Sequence, residues 1–325
     1  MAGRILIGIS GWRYGPWRGV FYPPKLPQHR ELAYASRMLP TIEINGSFYS
    51  LQDPAYYAEW HDDTPEDFVF AVKGPKYITH LKRLKDVEAP LANFFANGLF
   101  ELKDKLGPIL WQFPPMMRFQ PERFEPFFAR LPRDTEAAAA MARRHDHRVA
   151  GRTSLVPDRK RALRHAVEIR HPSFADPAFV ALLRRHRIAL VVADTAGKWP
   201  LLEDLTSDFV YLRLHGDKEL YASGYSDAAL SRWAGRIRTW SRGGQVDDAR
   251  LASDRPAPGR AGRDVYCYFD NDVKVHAPYD AATLMRKLGL ASPLGDKGQP
   301  VWPPGWKAPA VRTGGEGFAA RKRAP

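Results

Sequence analysis

Short apolar runs recur along this chain, and each of them ends on a charged or amide residue. The clearest runs are Thr41-Ile-Glu-Ile-Asn45, Phe68-Val-Phe-Ala-Val-Lys73, Ile109-Leu-Trp-Gln112, Ala166-Val-Glu-Ile-Arg170, Leu190-Val-Val-Ala-Asp194 and Tyr211-Leu-Arg-Leu-His215. Runs of this length, rich in β-branched and aromatic residues, are typical of buried strands. Burying an unpaired polar group is costly, so polar groups that converge need either one another or a ligand. The pattern therefore predicts strands whose polar ends meet in a pocket.

Helical stretches alternate with these strands. We predict strands that begin near the following positions: Arg4, Thr41, Phe68, Gly107, Arg164, Arg187, Asp208 and Arg263. The predicted helices between them include Ala55 to His61, Leu91 to Leu106 and Ala228 to Ser241. Eight strand and helix units in this order fit a closed parallel barrel better than an open sheet. The predicted fold class is therefore α/β, a single-domain (β/α)8 TIM barrel over residues 1–290.

Three segments do not fit the repeat. Residues 134–163 contain an alanine-rich helical piece, Glu136 to Arg144, and then a His- and Arg-rich connection, and residues 241–263 are rich in Gly, Asp, Arg and Pro. Residues 291–325 mix Pro, Gly and basic residues without the apolar content that ordering requires. We therefore expect two surface insertions and a C-terminal tail that is disordered or loosely docked.

The formal net charge of +13 raises the question of a nucleic-acid partner. Most of the excess lies in the two insertions and the tail, while the barrel itself is only mildly basic. We favour a general role in solubility for these charges, and nucleic-acid binding through the insertions and tail is the alternative. The sequence has no membrane-spanning apolar stretch and no N-terminal secretory pattern, and its single Cys267 excludes an internal disulfide. We therefore expect a cytoplasmic protein with no membrane partner, and the oligomeric state stays open.

Alternation along each strand predicts where the polar side chains point. Because barrel helices need an apolar outer face, the polar alternate must face inward. At the carboxyl ends of the strands these side chains would gather at the barrel mouth, where TIM barrels hold their sites. The predicted inward set is Glu43, Asn45, Lys73, Gln112, Glu168, Arg170, Asp194, Arg213 and His215.

The charges of this set suggest acid and base chemistry. We predict that Glu43 and Glu168 act as the acid and base pair and that Lys73 is a catalytic cation. Arg170 and Arg213 would clamp a carboxylate or phosphate through two parallel hydrogen bonds. The alternative is an ion network that only braces the barrel.

Further candidates lie in the loops near the same edge. Trp12 and Tyr49 belong to aromatic loops that either pack onto the barrel or stack on a ligand. His80 could donate to an anion, and Asn271 follows the last strand, where alternation does not settle which side chain enters the pocket. Metal ligation by Glu43, Glu168, Asp194 and His215 is disfavoured because three nearby cations would compete with the ion. We therefore predict no metal and no organic cofactor.

Ordered motifs along the chain resemble the DUF72 family, also called YecE-like proteins. The motifs are Gly8-Ile-Ser-Gly-Trp12, Trp17-Arg-Gly-Val-Phe-Tyr22, Thr41-Ile-Glu-Ile-Asn45 with Phe48-Tyr49, Phe70-Ala-Val-Lys73 with Ile78-Thr-His80, Gly107-Pro-Ile-Leu-Trp-Gln-Phe-Pro-Pro115, Val167-Glu-Ile-Arg-His-Pro172, Tyr211-Leu-Arg-Leu-His-Gly216 and Tyr266-Cys-Tyr-Phe-Asp-Asn-Asp272. The resemblance implies a TIM barrel and little more, because the family's biochemical role is not established. The chain differs from the family pattern in its two basic insertions and in Asp270, where the family often looks like Asn.

These observations lead to three functional hypotheses. The first is an enzyme of hydrolase, lyase or isomerase character that acts on a small anionic or sugar-containing substrate. The second is a nucleic-acid-binding or nucleic-acid-processing protein that uses the basic insertions and tail. The third is a ligand-binding module without catalysis, which the sequence does not separate from the first.

Overall fold

The computed structural model describes residues 1–294, so the predicted tail beyond Leu294 lies outside the described residues. Eight parallel strands of this part of the chain close into a barrel in sequence order, and β1 pairs with both β2 and β8. The strands are β1 (Ile5–Ser10), β2 (Thr41–Ile44), β3 (Val69–Lys73), β4 (Leu106–Gln112), β5 (His165–Glu168), β6 (Ala189–Asp194), β7 (Phe209–Leu214) and β8 (Asp264–Phe269). The predicted (β/α)8 TIM barrel is therefore confirmed, and each strand begins within two residues of its predicted start.

Helices follow the strands and surround the barrel. They are α1 (Glu31–Met38), α2 (Gly46–Tyr49), α3 (Pro54–Asp63), α4 (Glu88–Ala96), α5 (Pro121–Arg130), α6 (Thr135–Ala142), α7 (Pro177–Arg185), α8 (Asp227–Ser241) and α9 (Ala277–Leu288). One predicted helix, Leu91 to Leu106, is wrong in its second half. The helix ends at Ala96, and Gly98 takes a positive φ of 112° before a separate 3-10 segment begins. A glycine tolerates this left-handed conformation without steric cost, and it ends the helix there.

Alternation along the strands divides the core into two layers. Inward-facing residues such as Ala71, Leu110, Ala166 and Tyr211 fill the barrel, whereas alternate residues such as Val167 pack outward among the helices. The inward rows continue toward the carboxyl ends of the strands with polar side chains instead of hydrocarbon. The fold thus brings polar groups from different strands to one end of a largely apolar barrel core.

The two predicted insertions pack closely on the barrel. In residues 134–163, helix α6 buries its alanine face against α4, and Asn93 exchanges two hydrogen bonds with Asp146. Residues 241–263 are attached through buried carboxylates. Glu203 accepts the amide of Arg250 at 2.9 Å, and Asp204 accepts the amides of Ala252 and Ser253. Both segments are therefore fixed to the barrel by specific contacts.

None of the helices in residues 1–294 is both long enough and apolar enough to cross a membrane. The longest of them, α8, has 15 residues and carries charged side chains along its length.

Candidate active site

A cavity of about 790 Å³ opens at the carboxyl ends of the strands. It lies where the inward polar rows of β2, β3, β4, β7 and β8 end. The lining residues are Gly11, Trp12, Arg13, Tyr14, Ile44, Asn45, Gly46, Phe48, Tyr49, Gln52, Trp60, Lys73, Lys76, His80, Gln112, Arg170, Arg213, Tyr221, Asp270 and Asp272. A cavity of this volume matches the usual range for small-molecule sites.

Arg213 forms the floor of the cavity and joins three carboxylates. Its Nη2 lies 2.9 Å from Glu43 Oε1 and 2.8 Å from Asp270 Oδ2, and its Nη1 lies 2.7 Å from Glu168 Oε2. Arg213, Glu43 and Glu168 are completely buried. A guanidinium in such surroundings is stable only because charge and hydrogen-bond partners compensate its loss of hydration. The network therefore fixes Arg213 in one orientation.

Hydrogen bonds saturate both buried glutamates. Glu43 accepts from Ser10 Oγ at 2.5 Å and from the Tyr211 hydroxyl at 2.6 Å. Glu168 accepts from Gln112 at 2.8 Å and from Arg170 Nε at 3.0 Å. Burial opposes ionisation of Glu168, but Arg213 and then Arg170 outweigh it and hold its pKa well below the ordinary value. Neither glutamate lines the cavity.

Lys73 stands apart from this saturated network. Its backbone is fixed, because Ser47 Oγ donates to its carbonyl oxygen at 2.7 Å and the next amide, Gly74, donates to Leu110. Its ammonium lies 4.4 Å from the centre of the Phe48 ring and forms no hydrogen bond or ion pair with any residue between 1 and 294. Burial, and then repulsion from Arg213, lowers the pKa of Lys73 to about 8.

Two other titratable groups of the cavity, Asp272 and His80, have shifted pKa values. Burial, reinforced by the negative charge of Asp270, raises the pKa of Asp272 to about 6. Burial, followed by the charges of Arg170 and Lys73, lowers the pKa of His80 to about 4, so its imidazole is neutral at pH 7. The cavity thus holds several groups whose protonation is set by surroundings rather than by solvent.

Arg170 forms one wall of the cavity. Its guanidinium stacks 3.9 Å above the Trp199 ring, and its Nη2 donates to the Tyr221 hydroxyl at 3.3 Å. Its Nη1 forms no hydrogen bond with a residue of the described part of the chain, so this donor is free to contact a bound anion.

The aromatic loop residues divide between packing and lining. Trp17, Phe21 and Tyr22 are fully buried against Tyr34 and one another. Trp12 and Tyr49, the two predicted ligand contacts, both line the cavity together with Tyr14 and Phe48. Tyr49 is exposed and lies beneath the Lys76 ammonium, whereas Trp12 packs its edge on Trp60.

Besides Glu43 and Glu168, three predicted site residues lie outside the cavity. The inward direction predicted for Asp194 is wrong, because Val191 and Ala193 face the barrel interior and Asp194 faces outward to the Tyr225 hydroxyl at 3.1 Å. Asn271 is buried and donates to Ser223 and Asp280, so its contacts are structural. His215 is buried below the cavity with its Nδ1 3.0 Å from Asp270 Oδ2. Asn45, Lys73, His80, Gln112, Arg170 and Arg213 all line the cavity as expected.

Sequence reasoning missed several members of the site. Ser10 joins Glu43, Arg213 and Asn45 through its hydroxyl, and Asp270 pairs with Arg213. Tyr221 reaches the cavity from a loop. For Asp270 a signal existed, since Tyr266 and Tyr268 face inward and alternation places residue 270 on the same side.

Within residues 1–294, no group of three or more His, Cys, Asp and Glu side chains has the arrangement of a metal site. The four possible metal ligands that the sequence analysis disfavoured, Glu43, Glu168, Asp194 and His215, do not come together, because Asp194 faces away from the barrel interior.

Comparison with known proteins identifies relatives of this barrel. The model of the family described as a protein of unknown function, DUF72, matches residues 6–303. The UPF0759 protein YunF of Bacillus subtilis (strain 168) is 33% identical over 116 residues, which cover 34% of this chain and 40% of that protein. The chain thus spans less than half the length of that curated relative.

Two solved structures share the architecture. A DUF72 family protein of Thermotoga maritima MSB8 has a TM-score of 0.65 and 24% identity, over 88% of this chain and 99% of that one. A DUF72 family protein of Enterococcus faecalis V583 has a TM-score of 0.62 and 17% identity, over 92% and 99%. At these identities the likeness shows the fold. Because the family model matches nearly the whole chain, this protein belongs to the DUF72 family.

Proposed function

We propose that this protein is an enzyme that acts on a small anionic or sugar-containing substrate in the barrel-mouth cavity. The observation that carries the proposal is the combination, in one cavity, of an unpaired Lys73 amine with the free edge of Arg170 and an aromatic wall. Burying an amine without a partner is unfavourable, so a lysine with a purely structural role would be expected to have one. The free-energy cost of the unpaired Lys73 amine is explained if the cavity binds a ligand that contacts it.

Charge and shape favour an anionic ligand. Five cationic side chains line the cavity, whereas Asp270 and Asp272 are its carboxylates. When the buried Glu43 and Glu168 beneath the cavity are included, five cations face four carboxylates, which leaves a formal net charge of +1. Trp12, Tyr14 and Tyr49 offer ring faces of the kind that stack on sugars. Gln112 and Asn45 add amide groups that hydrogen-bond hydroxyls.

The geometry supports a division of roles that differs from the predicted acid and base pair. Glu43 and Glu168 lie below the floor and are saturated by Arg213, so they act as positioning residues in this proposal. Lys73 and Asp272, whose pKa values lie near 8 and 6, are the groups able to exchange protons with a substrate near neutral pH. Arg170 and Arg213 would stabilise negative charge that develops during the reaction.

Thermal unfolding with inorganic phosphate and with glucose 6-phosphate as probes tests the anion site. We expect each probe at about ten times its dissociation constant to raise Tm of the wild type by a few degrees, since binding to the native state stabilises it. Lys73→Met should lose most of this shift. Lys85→Met, which removes an exposed lysine outside the cavity, is the matched control and should keep it. An undiminished shift in Lys73→Met would contradict the assignment.

Turnover is tested separately with a panel of sugar phosphates followed by proton NMR. The proposal expects a product from at least one panel member with the wild type and none with Lys73→Met. Binding by the wild type without product from any panel member would support the ligand-binding alternative instead.

A further inference from the structure

The described residues include two buried lysines, and their surroundings differ. Lys105 Nζ is held by three oxygens, the carbonyls of His61 and Thr64 at 2.5 and 2.8 Å and the Thr64 hydroxyl at 3.2 Å. Lys73 Nζ has the face of Phe48 and an open cavity instead. Lys105 has the satisfied contacts of a structural lysine. Lys73 lacks them, which calls for a chemical explanation.

The surroundings of Lys73 favour its neutral amine. Burial, and then the Arg213 cation nearby, disfavour the ammonium more than the Phe48 ring face and the neighbouring carboxylates favour it, and the pKa falls to about 8. At pH 7.5 the neutral fraction is roughly two hundredfold larger than that of an ordinary lysine with a pKa of about 10.4. A desolvated lysine beside another cation is a recognised form of activated amine nucleophile. The fixed backbone and unrestrained amine also allow the nitrogen to approach a bound atom.

We propose that Lys73 forms an imine with the carbonyl carbon of an aldehyde or ketone substrate that carries an anionic group. The inference rests on the proposed function, since it uses the same cavity, and it names the substrate class. The amine nitrogen attacks the carbonyl carbon and forms a carbinolamine. The carbon–oxygen bond then breaks, the oxygen leaves as water, and a carbon–nitrogen double bond remains.

Proton transfers in this sequence have donors within the cavity. The leaving oxygen takes one proton from the nitrogen and one from an acid, and Asp272 lines the same cavity with a pKa of about 6. Arg170 Nη1 is placed to hold the anionic group of the substrate. The protonated imine draws electrons from the adjacent carbon, which favours loss of a proton or of a carbon fragment there. Lyase or isomerase chemistry therefore suits this site better than hydrolysis.

Reductive trapping with pyridoxal 5′-phosphate, an anionic aldehyde, tests the proposal. The full-length protein is incubated with a substoichiometric amount of the aldehyde and sodium cyanoborohydride, and the modified lysines are mapped by peptide mass spectrometry. We expect Lys73 to be labelled at least about tenfold faster than exposed Lys85 at pH 7.5, because of its larger neutral fraction. The rate at Lys73 should rise up to about pH 8 and then level off.

Two variants and a competitor make the result specific. Lys73→Arg keeps the positive charge but has no amine, so it should lose the fast label and retain the Tm response to inorganic phosphate. Lys105→Met removes the other buried lysine and should leave the fast label in place. Inorganic phosphate should slow labelling in the wild type. Labelling of Lys73 at the rate of Lys85 would overturn the imine, and it would leave the anion site standing if the phosphate response persists.

Discussion

Arg213 shows how one buried side chain organises the site. Its guanidinium contacts carboxylates that come from β2, from β5 and from the residue after β8, so it links strands that lie far apart around the barrel. Burying one cation with three carboxylates is tolerable because hydrogen bonds from Ser10, Tyr211 and Gln112 share the negative charge. The arrangement makes the floor rigid and leaves Lys73 outside it.

Replacing Arg213 should be strongly destabilising. Arg213→Met leaves Glu43, Glu168 and Asp270 buried beside one another, and we expect a loss of about 3 to 5 kcal/mol in the free energy of unfolding. Urea unfolding at pH 7 measures it. Arg130→Met, which removes an exposed partner of Glu88, is the control and should change stability by less than about 1 kcal/mol.

The stabilisation that Arg213 provides should be lost as the pH falls. Arg213 lowers the pKa values of Glu168 and Asp270 against the effect of burial, so the stabilisation is complete above the unfolded value of about 4 and is lost as the pH falls below it. The difference in the free energy of unfolding between wild type and Arg213→Met should therefore become smaller in acid. If Arg213→Met loses no more unfolding free energy at pH 7 than the control Arg130→Met does, the proposed role of the network is contradicted.

At this scale alternation predicted much of the site. Glu43, Lys73, Glu168 and Arg213 are polar residues in otherwise apolar runs, so their direction follows from the strand period. The direction of Asp194 did not follow, because residues 190–193 are apolar on both faces and give no alternating signal. Ser10 is too small and too common in strands to stand out. Whether a lysine has a partner depends on side chains from other strands and loops, so the sequence of one strand does not predict it.

At the scale of elements, the strand starts were predictable and some helix ends were not. Strands of this barrel are short apolar runs bounded by Pro, Gly and charged residues, which is a strong local signal. The predicted helix over 91–106 was broken by Gly98, where a side-chain Cβ would lie 2.5 Å from Pro54 Cα. That requirement comes from a distant part of the chain. Tertiary contact therefore overrode the helical pattern.

The two insertions also attach to the barrel through contacts that the sequence does not predict. Their composition indicated segments outside the repeat, but not how they attach to the barrel. Glu203 and Asp204 lie in the link between β6 and β7 and hold residues 250–253 through backbone amides. These contacts pair side chains with main-chain groups some 47 to 49 positions away. No sequence pattern specifies such a partner.

At the scale of the whole molecule, the excess positive charge is spread unevenly. In residues 134–163, Arg148 pairs with Asp146, Lys160 with Glu136, and Arg161 with Asp158. These pairs offset much of the field that the basic segment would present to a polyanion. Residues 291–325 carry six Lys or Arg against two Asp or Glu. Nucleic-acid binding remains a hypothesis, and the charge balance favours the tail as its source.

Salt dependence of binding to a fluorescein-labelled DNA duplex checks this hypothesis. If the protein binds, we expect affinity to fall with salt, and removal of residues 291–325 to flatten the slope by roughly 0.9 for each lost phosphate contact. Arg148→Gln should change the slope by less than about one, since this arginine already has a partner. A slope that deletion leaves unchanged would exclude the tail as the binding segment.

The barrel mouth holds an unpaired lysine amine, which we propose reacts with an anionic carbonyl compound. The most direct measurement is a pH titration of the Lys73 ¹³Cε resonance by NMR, assigned with Lys73→Arg. We expect a midpoint near pH 8 that moves upward when inorganic phosphate is added, because a bound anion stabilises the ammonium. A midpoint near the ordinary lysine value of about 10.4 that phosphate does not move would contradict it.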